Sequence, residues 1–390
     1  MIQPERGFAT EEFRGRVQAA QSLMEHAGLA ALLLTTEPEV RYFSGFLTRF
    51  WESPTRPWFL IVPAIGDPVA VIPAIGAALM ARGWIRDIRT WRAPDLDDDG
   101  VSLLAQTLRE LVGSDGVVGM PMGHESHLRM PLADYHRLAE SLGSVKLQDD
   151  ADIMRRLRMV KSEAEISKIR RACSIANRAF DRVPEIATEG QALEKVFRHF
   201  QMLCLEEGAD WVPYLAGAAE PGGYSDVISP ASDRPMERGD ILMLDTGLIW
   251  DGYFCDFDRN YAVGEAGSET KAGYAKLIEA VEAARHIARP GATAADLFHE
   301  MDRILTGGAG GSDTGRLGHG LGMQLTEWPS LIADDHTVLE MGMVLTLEPG
   351  VEVAPGRILV HEENIVIREA GCEMLSDPAP GDLPILGNVT

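Results

Sequence analysis

Five side chains in the second half of this 390-residue chain are out of place for a purely structural role. Asp245 closes the apolar run Ile241-Leu242-Met243-Leu244. Asp256 follows eleven residues later in Cys-Asp-Phe-Asp-Arg. It lies on what reads as the return strand, Tyr253 to Tyr261, of a hairpin turning at Asp251-Gly252. His319 stands among glycines in Gly-His-Gly-Leu-Gly. Glu348 ends Leu345-Thr346-Leu347 just before Pro-Gly, and Glu362 lies inside the apolar stretch Val360 to Ile367.

Each residue alone has an ordinary reading. An Asp near a turn is commonly a turn residue, Glu-Pro-Gly stops a strand, and a histidine beside glycines packs in a loop. Together they point elsewhere. An uncompensated buried charge is costly, so carboxylates at or inside apolar strands need cations. Four carboxylates balance two divalent ions. Oxygen-dominated ligands with one nitrogen suit Mn²⁺, Fe²⁺, Co²⁺ or Zn²⁺ better than a thiolate-seeking ion. A pair of such ions activates a water for hydrolysis.

The rest of the composition bounds the setting. The net charge of −23 argues against nucleic acid and against anionic membranes as partners. Cys173, Cys204, Cys255 and Cys372 are scattered without a CxxC pair, which fits a reducing cytoplasm. The opening MIQPERGFATEEF has no apolar signal core. No apolar run approaches the roughly 20 residues of a membrane helix. A cytoplasmic protein of two domains is expected.

The elements that must position the five residues follow from pattern. Residues 1–150 alternate helices and strands as an α/β domain does. A helix over Thr10 to Ala27 is stopped by Gly28, and strands lie near Ala30 to Thr35, Trp58 to Pro63, Val69 to Pro73 and Val117 to Met120. A boundary falls near 151, where Arg155, Arg156, Arg158 and Lys161 precede the capping box Ser162-Glu163-Ala164-Glu165. Residues 151–390 pair helices with strand pairs, as an α+β domain does. Helices are predicted over Ala192 to Glu207, over Thr270 to Ala288, and from Thr293 onward.

The ordered set Asp245, Asp256, His319, Glu348 and Glu362 resembles the pita-bread metallohydrolases, which include methionine aminopeptidase, aminopeptidase P, prolidase and creatinase. The resemblance covers essentially the whole chain. Val40 to Gly45 is similar to a stretch of the family's creatinase-like N-terminal domain, and Arg158 to Ile166 is similar to the entry of its catalytic domain. It implies a dinuclear metal-dependent hydrolase cleaving an amide or C–N bond of a small-molecule or dipeptide substrate. The label it carries is Xaa-Pro dipeptidase or aminopeptidase. Glu348 would be general acid/base as well as ligand, with His319 beside it. Glu362 aligns with the family's last ligand, and Glu363 is the fallback, because strand alternation lets only one face the metals.

The resemblance also implies a homodimer in which the N-terminal domain covers a partner's site. Arg49 or Arg56, in a Trp- and Arg-rich stretch, would then anchor a substrate carboxylate. Tyr214, in a segment similar to the family's substrate side, is a further contact. Two departures stand out. Where Xaa-Pro peptidases carry histidines, this chain has Ile228 and Thr326. Thr326 is taken as substrate-binding in that histidine's place, and His361 or His199 could replace an imidazole in space. A general Xaa-Pro peptide is therefore not the expected substrate. The alternatives are an ectoine- or creatine-hydrolase-like enzyme, a dimethylsulfoniopropionate-type lyase, or a non-catalytic binding module.

Overall fold

The computed structural model describes residues 4–53, 56–312 and 314–387. The chain divides into two compact units. One comprises Glu5–Arg158; the other is built on Met159–Thr390.

The first unit is a mixed sheet with helices. Its strands are β1 (Ala31–Leu34), β2 (Phe59–Pro63), β3 (Val69–Pro73), β4 (Asp87–Trp91), β5 (Val117–Met120) and β6 (Lys146–Asp149), in the order β4-β3-β2-β1-β5-β6. The helix Thr10–Ala27 buries Phe13, Val17, Ala20 and Met24, which recur at helical spacing. Gly28 ends it in the left-handed conformation. The Trp- and Arg-rich stretch is anchored by its tryptophans. Trp51 and Trp58 are buried, and their rings pack 5.8 Å apart. Arg129 donates to the carbonyls of Trp51, Ser53 and Arg56, so the backbone there is held from inside.

The second unit opens with the helix Glu163–Asp181. Ser162 accepts from the Glu165 amide while the Glu165 carboxylate accepts from the Ser162 amide, as the capping pattern requires. Ile166, Ile169, Cys173, Ala176 and Phe180 form its buried stripe. Three sheets follow. The first contains β7 (Trp211–Pro221), β8 (Asp240–Trp250), β9 (Tyr253–Phe254), β10 (Phe257–Val263) and, from the C-terminal segment, Ile385–Leu386. The second contains β11 (His319–Gly320), β12 (Glu327–Ser330), β13 (Val344–Leu347), β16 (Glu363–Arg368) and β17 (Gly371–Met374). The third pairs β14 (Gly350–Ala354) with β15 (Arg357–Val360). The helices Ser268–Ile287 and Ala294–Leu305 pack with β13 and β16 in one apolar core. All four cysteines are free thiols. Among the described residues no helix is long and apolar enough to cross a membrane.

Candidate metal centre

The hairpin forms where its turn signal lies. Asp251 and Gly252 both have positive φ, 47° and 80°, and connect paired Trp250 and Tyr253. Such a turn matches the twist of the flanking strands. Two details differ from the sequence reading. The apolar strand does not stop at Asp245 but runs through it to Trp250, so Asp245 sits in mid-strand, opposite Asp258. The return strand is not continuous either: β9 ends at Phe254, β10 starts at Phe257, and Asp256 lies in the gap.

The gap is closed by a side chain. The Asn364 Oδ1 accepts from the Asp256 amide at 3.0 Å, and its Nδ2 donates to the Asp256 carbonyl. This carboxamide supplies both bonds a neighbouring strand would give. The stretch Val360 to Ile367 is interrupted in the same way. β15 ends at Val360, β16 begins at Glu363, and Glu362 lies between. Its amide donates to the Asp258 Oδ1 at 2.8 Å. The holds are reciprocal: each of Asp256 and Glu362 is fixed by the residue two positions beyond the other.

Register decides which glutamate enters the cluster. Thr346 on β13 is directly opposite Asn364 on β16, and Leu347 is opposite Glu363. Side chains alternate along a strand, so Glu363 leaves by the other face from Asn364. There it is engaged by Arg259 at 3.1 Å, by the Ala379 amide at 2.8 Å, by His361 at 3.3 Å and by Ser376. Burial raises its carboxyl, but the Arg259 charge and the His361 contact outweigh this and hold it down at about 2. Glu362 instead joins Asp245 and Asp256, with one carboxylate oxygen from each within 4.8 Å of the others.

His319 is delivered by its glycines. A Cβ at Gly318 would stand 2.3 Å from the Thr346 carbonyl oxygen, and one at Gly320 would stand 2.3 Å from the Trp328 carbonyl oxygen. Only glycine lets β11 lie this close to its neighbours. The imidazole Nδ1 lies 2.8 Å from the Gly320 carbonyl, which makes it the protonated nitrogen and leaves Nε2 facing the carboxylates. Nε2 is 3.0 Å from Glu348 and 3.4 Å from Asp256. Asp256, His319 and Glu348 thus form a second triad whose ligand atoms lie within 4.8 Å of one another. Asp256 belongs to both triads. Glu348 is the more open member, its side chain 17% exposed.

The charges do not balance among themselves. Burial, then the Asp258 charge, raises the Asp245 carboxyl to about 7. Burial and then Asp245 push Asp256 and Glu362 well above the usual carboxylate range. Glu348 also feels burial, but His319 and the Thr346 hydroxyl bring it below its ordinary value. The buried Asp245 Oδ1 has no hydrogen-bond partner. An orphaned carboxylate oxygen in a crowd of acids, with one imidazole turned toward them, is a donor set that fits divalent cations.

The other expected residues fall in different places. Tyr214 is on β7, and its side chain draws the Asp245 carboxyl down. Thr326 is half-buried one residue ahead of β12. Arg49 and Arg56 belong to the other unit, where Arg49 is 2.8 Å from Glu52 and Arg56 lies over the Phe50 ring. His361 cannot stand in for a missing imidazole, because its two nitrogens face Asp258 at 3.2 Å and Glu363 at 3.3 Å. His199 is half-buried on the helix Leu193–Glu206. Asn364, Thr346 and Asp258 were not anticipated. A polar residue amid Ile and Val in Asn364-Ile-Val-Ile was the available signal, since a buried amide must find partners. Arg316 also weighs on Asp256 and Glu348, drawing both carboxyls down.

The chain is similar to known proteins along most of its length. Residues 167–369 match the model of metallopeptidase family M24, and residues 16–160 match the creatinase/prolidase N-terminal domain. A probable dipeptidase PepE of Mycobacterium tuberculosis is 31% identical over 365 residues, covering 93% of each chain. An Xaa-Pro dipeptidase of Pyrococcus horikoshii is 32% identical over 258 residues, covering 65% of this chain and 72% of that one. The crystal structure of dipeptidase PepE from Mycobacterium ulcerans has a TM-score of 0.84 at 28% identity, covering 97% of this chain and 99% of that one. The chain therefore belongs to metallopeptidase family M24, with the family's creatinase-like N-terminal domain and pita-bread catalytic domain.

Proposed function

We propose that Asp245, Asp256, His319, Glu348 and Glu362 hold two divalent first-row cations, and that the protein hydrolyses the amide bond of a dipeptide. The observation that carries this reading is Asp256, which is common to two ligand triads, each with its donor atoms within 4.8 Å. Mn²⁺, Fe²⁺, Co²⁺ or Zn²⁺ suits the donors, and bound there would polarise the substrate carbonyl and lower the pKa of a water.

This chain's own groups have separable tasks. The Gly320 carbonyl fixes the His319 tautomer, so Nε2 stays available. Glu348 takes the proton of the attacking water and passes it to the leaving amine, which its position at the open side of the cluster favours. Thr346 orients Glu348 through a hydroxyl hydrogen bond. Tyr214 draws the Asp245 carboxyl down, and its role as a substrate contact rests on the family resemblance.

Dipeptides are the substrate class because the two relatives cited above are dipeptidases by name. That support does not extend to ectoine- or creatine-type hydrolysis, to an elimination, or to a non-catalytic role. The homodimer, the cytoplasmic setting and an anchoring role for Arg49, Arg56 and Thr326 rest on the family resemblance. The test is hydrolysis of a dipeptide panel by protein loaded in turn with each of the four metals. Release of free amino acids that a chelator abolishes is the expected result. No turnover with any metal would overturn the reading.

A further inference from the structure

We infer that Asn364 is the positioning residue for Asp256, and through it for both proposed cation sites; this rests on the metal assignment above. Asp256 sits where the strand has opened between β9 and β10, so its backbone lacks the restraint of a regular ladder. A ligand common to two triads needs more restraint, because a shift in it alters both sites at once.

Asn364 provides that restraint with a bidentate grip, accepting from the Asp256 amide at 3.0 Å and donating to the Asp256 carbonyl. The grip is itself oriented. Asn364 is fully buried, and the Cys173 thiol donates to its Oδ1 at 3.3 Å. Its own backbone is bound at both groups, the amide to Ser376 at 3.0 Å and the carbonyl to the Leu375 amide at 2.8 Å. The carboxamide is thus fixed to the sheet and cannot turn over without losing both bonds to Asp256. No other natural side chain of this size both donates and accepts in one plane. Aspartate keeps the shape but loses the donor and faces the Asp256 carbonyl with a second acceptor.

The experiment measures Co²⁺ affinity and the visible Co²⁺ spectrum, which reports ligand geometry, for wild type, Asn364→Asp, Asn364→Ala and Ile365→Val. Ile365 is equally buried on the opposite face of β16 and serves as the control for mere loss of packing. Both Asn364 variants are expected to bind Co²⁺ about 10–100-fold more weakly, with an altered spectrum, while Ile365→Val matches wild type. Wild-type affinity and spectrum in either folded Asn364 variant would overturn the inference. So would failure of both variants to fold, since the residue would then serve the fold and not the ligand. Failure of the wild type to bind Co²⁺ would instead overturn the metal assignment itself.

Discussion

Thr346 and Asn364 face each other across β13 and β16, and between them they touch three of the five proposed ligands. The Thr346 hydroxyl accepts from the His319 amide at 2.9 Å and donates to the Glu348 carboxylate. Asn364 holds Asp256. Glu348, two residues after Thr346, and Glu362, two residues before Asn364, lie just beyond the paired ends of these strands. One cross-strand pair therefore forms the floor of the centre, and the next two side chains form its wall.

Replacing Thr346 by Val keeps the shape and removes the hydroxyl. The buried His319 amide then loses its acceptor, which costs about 1–3 kcal/mol of stability. Urea unfolding measures this. The same variant is expected to lose about 10–100-fold in turnover, as loss of outer contacts to metal ligands does elsewhere. Thr346→Ser should recover most of both. Unchanged stability in Thr346→Val would show that the hydroxyl contributes nothing to the floor.

Asp256→Ala and His319→Ala remove members of the triads directly. Hydrolysis should fall by orders of magnitude in each, together with bound metal measured by mass spectrometry. Asp256→Ala is expected to lose more metal than His319→Ala, since only Asp256 is common to both triads. Equal and undiminished metal content in the two variants would count against the assignment.

The acids also set a pH dependence. The Asp245 carboxyl is raised to about 7, by burial and then by Asp258, and Asp256 and Glu362 are raised in the same direction. A carboxyl raised on folding holds its proton more tightly in the native chain. Its stabilising contribution is complete below the ordinary carboxylate pKa, about 4, and is lost as pH rises through about 7. A bound cation displaces those protons and pairs the charge left behind. Mn²⁺ should therefore raise the melting temperature of the metal-free protein more at pH 8 than at pH 5. The same increment at both pH values would show that these acids do not receive the ion.

Ile228 and Thr326 bear on specificity. Ile228 is 81% exposed and its side chain can donate nothing, and Thr326 is shorter than an imidazole. Loss of one donor to a developing oxyanion typically costs on the order of 10²–10³ in kcat, and His361 is engaged elsewhere. Non-prolyl dipeptides are expected to turn over at least as well as Xaa-Pro dipeptides in matched pairs. A preference of about 100-fold or more for the Xaa-Pro member would show that the histidines were dispensable.

Much of this was legible in residue types. Asp251-Gly252 specified its turn, and Ser162 with Glu165 and Thr293 with Asp296 specified helix starts. The strand breaks at Asp256 and Glu362 were not legible, because the groups that stabilise them lie 108 and 104 residues away. Local pattern favours continuous strands there, and only tertiary contact opens them.

The most direct measurement is anomalous scattering from crystals of the Mn²⁺-loaded protein. Two peaks are expected among Asp245, Asp256, His319, Glu348 and Glu362, with Asp256 contacting both ions and Glu363 neither. A single peak, or ions held without Asp256, would contradict the two overlapping triads on which the proposed dipeptidase rests.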